Sequence, residues 1–238
     1  MSDFPFDCVG FDLDGTLVDS AGDIAASVNA ALAALPRAPL SIEQVRPMIG
    51  GGSRELLSRV LQSTGDESEL DRLLPILLDY YEYHMTDLTR PFAGAVEALD
   101  ALAMRGVTLA IVTNKREHFA VKLLRALDLS DRFTCVIGGD SAGLAAMKPD
   151  RAPIDLMIAR CGARRAAFVG DSHYDVLAAQ AAGIPVALFG DADIGADIRF
   201  AHYADLVTSL EALSAGQCDA PSVGVESSDG AASSDAAG

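Results

Sequence analysis

Basic residues are scarce in this chain. Only 18 Lys and Arg stand against 34 Asp and Glu, a formal charge of −16, and no basic cluster interrupts the acidity. Nucleic-acid binding depends on neutralising phosphates with Lys and Arg, so that class of partner is excluded. An anionic membrane surface is an equally poor partner. Long apolar runs are missing too: nowhere do eighteen apolar residues follow one another, and MSDFPFDCVG lacks the basic n-region and continuous apolar stretch of a secretory signal. The expected location is the cytoplasm. Cysteine is confined to Cys8, Cys135, Cys161 and Cys218, with no C-x-x-C pair, and His84, His118, His173 and His202 show no metal-ligand spacing. Reduced structural thiols, two of them inside strand-like apolar runs, are the expectation.

What the chain does have is apolar residues, half of the total over 238 positions, enough for a large domain or a core with a smaller insert. Residues 7–11, DCVGF, read as a short buried strand. Helical spacing follows at Ile24, Val28, Leu32 and Leu35, ended by Pro36 and Pro39. Ser41 with Gln44 is a capping box, GGGS at 50–53 breaks the next helix before it resumes at 55–61, and Leu70–Tyr83 is an amphipathic stretch in which Pro75 marks a first turn or a kink. From 20 to 90 the pattern is helical throughout.

After Pro91 it changes. A helix closed by Gly106 leads into VTLAIVTN, and strands at 133–138, 166–170 and 184–190 alternate with helices at 117–127, 154–160 and 174–181. Such alternation predicts a parallel α/β sheet covered by helices on both faces, with the helical segment inserted after the first strand. The expected division is a core of 1–19 and 91–213, an insert of 20–90, and an acidic, Ala/Ser/Gly-rich tail of 214–238 too poor in large apolar residues to order.

Ligands of open α/β sheets bind beyond the carboxyl ends of the strands. Four such ends carry reactive groups: Asp12 and Asp14; Thr113 and Asn114; Lys148, beyond the third strand; and Asp171 with Asp175. Each has an ordinary reading alone, as a turn, a helix cap or a solvated lysine. Together they supply the charges that bind a phosphate and a hard cation.

FDLDGTLVDS, IVTN, Lys148 in MKPD and VGDSHYD resemble, in order, the four motifs of the haloacid dehalogenase-like phosphohydrolases. Among these, TNK at 113–115, FTCVIGGD at 133–140 and VGDSHYDVLAAQAAG at 169–183 are similar to the phosphoglycolate phosphatases. Two departures are Arg151 and Arg116, each where those proteins commonly carry proline. The resemblance covers nearly the whole chain to about residue 213. It implies a Rossmann-like parallel core with a helical cap, and a phosphomonoesterase acting on a small phosphorylated metabolite, as monomer or homodimer.

The resemblance also implies roles. Asp12 attacks phosphorus and forms an aspartyl phosphate, while Asp14 serves as acid and then base. Mg²⁺ is the implied cofactor, held by Asp12, the backbone carbonyl of Asp14 and Asp171, with Asp175 holding a metal-bound water or orienting Lys148. Thr113, the Asn114 amide and Lys148 stabilise the phosphoryl oxygens. In the cap, Arg54 of GGGSRELL is the candidate for a second acidic group such as a carboxylate. Lys115 and His173 are expected to be solvated bystanders. The rival readings are a β-phosphoglucomutase-like phosphosugar mutase, which also has a core and a cap, or a sugar-phosphate phosphatase, and, from a different class, a non-catalytic phospho-acceptor or binding protein.

Overall fold

The computed structural model describes residues 4–143 and 146–216. Eight strands are present among them: β1 Cys8–Phe11, β2 Val18–Asp19, β3 Arg90–Pro91, β4 Thr108–Val112, β5 Cys135–Ile137, β6 Ala166–Gly170, β7 Val186–Phe189 and β8 Ile198–Phe200. Six form one sheet in the order β5-β4-β1-β6-β7-β8, every neighbouring pair parallel. The helices are α1 Ala21–Leu32, α2 Ile42–Val45, α3 Gly52–Thr64, α4 Leu70–His84, α5 Ala95–Met104, α6 Glu117–Ala126, α7 Ala152–Cys161, α8 His173–Ala182 and α9 Leu206–Gly216.

Burial on both faces explains why the central strands are apolar runs rather than alternating ones. Val9, Phe11, Leu109 and Ile111 pack in one cluster with Leu99 and Leu102 of α5 and Leu206 and Leu210 of α9. Their sequence neighbours Cys8, Ala110 and Val112 turn the other way, into a cluster with Ile154 and Met157 of α7 and Ala178 and Ala179 of α8. Period-two geometry thus divides each strand between two helical layers.

Helices α1 to α4 lie between β2 and β3. These two short strands pair antiparallel, Val18 with Pro91 and Asp19 with Arg90, and carry the chain out of the sheet domain and back. The Ser41–Gln44 capping box is present, with Gln44 N bonded to Ser41 Oγ and Ser41 N to Gln44 Oε1. Pro75 falls inside α4, past its first turn. Apolar contact between the helical insert and the core is continuous, since Leu57, Leu61, Leu73 and Leu77 join the cluster that contains Phe11 and Leu13.

Three features depart from the sequence expectation. The β2–β3 pair interrupts what reads as an all-helical boundary, because two-residue strands leave no periodic signal. Strand β8 and helix α9 extend the core beyond the last expected strand. Residues 214–216 are not part of a disordered tail: they complete α9, while the rest of that segment, Cys218 included, lies outside the described residues. Among the described residues no helix is long and apolar enough to cross a membrane.

Candidate active site

Register places the site. Phe11 of β1 pairs with Ile111 of β4 and with Val169 of β6, so the three strands end nearly flush. The residues that follow, Asp12, Thr113 and Asp171, therefore emerge at one edge of the sheet. The turn after β1 needs Gly15, whose φ of +87° is left-handed and whose missing Cβ would stand 2.4 Å from Asp171 Oδ2. Thr16 completes the turn by donating to Asp171 Oδ1 at 2.7 Å.

Lys148 is the centre of charge. Its ammonium is almost fully buried and donates to Val112 O at 2.8 Å and to Asp175 Oδ1 at 2.6 Å. Its third contact is a buried ion pair with Asp12 Oδ1 at 2.8 Å, and among the described residues no other protein donor reaches that oxygen. Burial alone would lower the lysine's proton affinity, but Asp12 and Asp175 more than offset it and the pKa is raised. Removing the lysine would leave those buried carboxylates without their cation, which typically costs about 3–5 kcal/mol.

The carboxylates divide their work. Asp175 is fully committed, since its second oxygen accepts from Asp171 N at 3.2 Å, Ser172 N at 3.0 Å and Ser172 Oγ at 2.6 Å. It fixes Lys148 and the start of α8. Asp12 is pushed up to about 6, by burial first and by the nearby Asp175 and Asp14 charges, against the pull of Lys148. Asp171 is raised well above the usual carboxylate range by burial, Asp175 and Asp12.

Ligand atoms of Asp12, Asp171 and Asp175 all lie within 4.8 Å of one another. Three clustered carboxylates suit a hard divalent cation, which would restore the charged forms that burial disfavours. The residues present fit a metal, with Asp12 and Asp171 holding the less committed oxygens.

Asp14 faces a different space. Ser20 Oγ donates to its Oδ1 at 2.6 Å, and Lys115 Nζ pairs with its Oδ2 at 2.7 Å. Both Asp12 and Asp14 line a cavity of about 60 Å³ between core and cap, walled largely by Ile24, Leu56, Leu77 and Phe119. Thr113 and Asn114 line it too. The Asn114 side chain does more than its sequence position suggests: it grips the Lys148 backbone, accepting from N at 2.8 Å and donating to O at 2.8 Å, and donates to Gly50 O of the cap at 2.9 Å.

Two expectations are corrected. Arg54 does not enter the cavity: it is exposed on α3 and paired with Asp71 at 2.8 Å. The third position of a helix lies on whichever face the helix turns, and here Gly52, Ser53 and Leu56 take the inner one. Lys115, read as solvated, is instead buried, its side chain only 7% exposed, because it precedes α6 and folds back over Asp14 and the Tyr81 ring. His173 is exposed, as expected of a bystander. Arg151, where a second proline is common, leaves Lys148 in place and pairs with Asp155 on the surface.

A family model described as haloacid dehalogenase-like hydrolase matches residues 9–189, a span that holds every one of these groups. The chain belongs to the haloacid dehalogenase-like hydrolases. Among relatives of this family, the chain is 36% identical over 229 residues to a phosphoglycolate phosphatase of Caulobacter vibrioides, covering 91% of this chain and 95% of that one. It is 38% identical over 180 residues to a phosphoglycolate phosphatase of Agrobacterium fabrum, with 74% and 76% covered. The fold superposes on a crystal structure described as a predicted phosphoglycolate phosphatase from Haemophilus somnus, at a TM-score of 0.78 and 30% identity, covering 87% of this chain and 98% of that one.

Proposed function

We propose that this chain is a Mg²⁺-dependent phosphomonoesterase that hydrolyses 2-phosphoglycolate to glycolate and phosphate. The observation that carries the chemistry is Asp12: a buried carboxylate whose Oδ1 contacts the Lys148 ammonium, in the lining of the cavity it shares with Asp14. A carboxylate so placed beside a fixed cation can serve as the nucleophile. The substrate assignment is supported by the relatives of 36–41% identity, which bear that activity in their names.

Asp12 attacks phosphorus, the bond to the glycolate oxygen breaks, and Asp14 gives that oxygen its proton. Water then attacks the aspartyl phosphate, losing a proton to Asp14 and restoring Asp12. Lys148 neutralises the phosphoryl oxygens, Thr113 and the Asn114 amide donate to them, and Asp175 keeps the ammonium aimed. Bound by Asp12, Asp171 and the Asp14 carbonyl, Mg²⁺ would supply Lewis-acid polarisation of the phosphoryl group.

The test is phosphate release from 2-phosphoglycolate after EDTA treatment, with and without added Mg²⁺, alongside β-glucose 1-phosphate with a bisphosphate primer. Mg²⁺-dependent phosphate from the first supports the reading. Isomerised sugar phosphate without free phosphate would replace it with a mutase.

A further inference from the structure

Away from Asp12, Asp14, Thr113 and Asn114 the cavity wall is mostly apolar, with polar groups at Ser27, Ser53, Tyr81, Lys115 and Arg116. Lys115, just before α6, and Tyr81, from the cap helix α4, meet there, with Nζ donating to the phenol oxygen at 2.8 Å. The ammonium has three hydrogens, and Asp14 Oδ2 and Tyr81 take two of them. Because the phenol oxygen accepts from Lys115, its own hydrogen is directed elsewhere. Among the described residues no acceptor is found for the Tyr81 hydrogen or for the third on Lys115. Two donors, one of them cationic, therefore converge in a low-dielectric space within reach of Asp14, where a charge-assisted hydrogen bond is strong.

The size of that space limits what can be recognised. A water-sized group needs ~10–15 Å³ on this measure, so a cavity of about 60 Å³ takes on the order of five such groups. The phosphoryl group shares this space at its Asp12 end, so a five-atom glycolate fits beside it more readily than a twelve-atom hexose. Among the described residues the one other cation lining the cavity is Arg116, which is exposed and screened by water.

We propose that Lys115 and the Tyr81 hydroxyl form the receptor for the substrate's carboxylate, and so are the residues that select a small anionic leaving group. The proposal rests on the phosphatase reading above and names the part of the substrate that the core motifs do not touch. It also joins recognition to closure, since one donor comes from the core and the other from the cap.

The experiment compares 2-phosphoglycolate with its amide, 2-phosphoglycolamide, which keeps size and phosphoryl group but lacks the charge. A hydrogen bond to a charged group is worth about 1.5–3 kcal/mol, so in wild type with Mg²⁺ kcat/KM should favour the acid by ~100-fold. Lys115→Gln should reduce that preference to about three-fold or less, Lys115→Arg should recover part of it, and Arg116→Gln should leave it in place. Tyr81→Phe should reduce it by roughly ten-fold, and serves should Lys115→Gln fail to fold. A Lys115→Gln enzyme that loses activity on both esters while keeping its preference would overturn the proposal, because Lys115 would then act only through Asp14. So would preference lost in Arg116→Gln alone, or preference unchanged in Tyr81→Phe. Wild-type enzyme with no preference for the acid would instead refute the substrate reading itself.

Discussion

Asp12→Asn should abolish turnover and, in metal-free protein at neutral pH, make the chain more stable. Asp12 is buried among Asp14, Asp171 and Asp175 with Lys148 as its one cationic neighbour. Its pKa rises from 3.8 in the unfolded chain to about 6 in the folded one. A group raised in this way contributes stability that is fully present below 3.8 and is lost as pH climbs through 6. Each pKa interval is worth 1.36 kcal/mol, so ionising Asp12 in the folded protein costs about 3 kcal/mol by pH 7.5. Asparagine has no such cost.

Urea unfolding followed by far-UV circular dichroism is the suitable assay, since the chain has no tryptophan to report by fluorescence. In EDTA at pH 7.5 the variant should exceed wild type by about 3 kcal/mol, and the two should converge by pH 4. Added Mg²⁺ should close or reverse the gap, because wild type gains more from binding it. A variant equal to or weaker than wild type in EDTA at pH 7.5, or a difference that ignores pH, would refute the reasoning.

Lys148→Met should lower kcat by about 10²–10³-fold and destabilise the fold by ~3–5 kcal/mol, read by phosphate release and urea unfolding. Gly15→Ala should displace Asp171 and impose strain at a positive φ, costing ~1–2 kcal/mol and weakening Mg²⁺ binding measured by calorimetry. Arg54→Ala should leave KM for 2-phosphoglycolate within about two-fold, since an exposed pair such as Arg54–Asp71 is worth little; a ten-fold rise would return Arg54 to the substrate site.

The parallel core was legible because its strands are continuous apolar runs, each followed by a polar group at a fixed edge. Asp12, Thr113, Asn114, Lys148 and Asp171 could be brought together on paper by topology alone, and Asp175 came with them through helical spacing. Where reasoning from residue types failed, the deciding quantity was direction. Arg54 and Lys115 are both cations beside a helix start, yet one points to solvent and the other folds under the cap, and only packing sets that choice. Ser20 and Thr16 stand inside the first motif, but their hydroxyl partners Asp14 and Asp171 depend on a turn whose path no periodicity encodes. The β2–β3 pair escaped notice for lack of length.

The position of β1 has a consequence for how the protein is made. Although translated before the sheet's other strands, it lies in the middle of the sheet, and Cys8 must wait for Thr108 on one side and Ala166 on the other. Until those segments leave the ribosome, the N-terminal strand carries two unsatisfied backbone edges and Asp12 has no ammonium nearby. Nascent chains ending before α8 should therefore depend on chaperones and show no catalysis at all, with folding and activity arriving together late in synthesis.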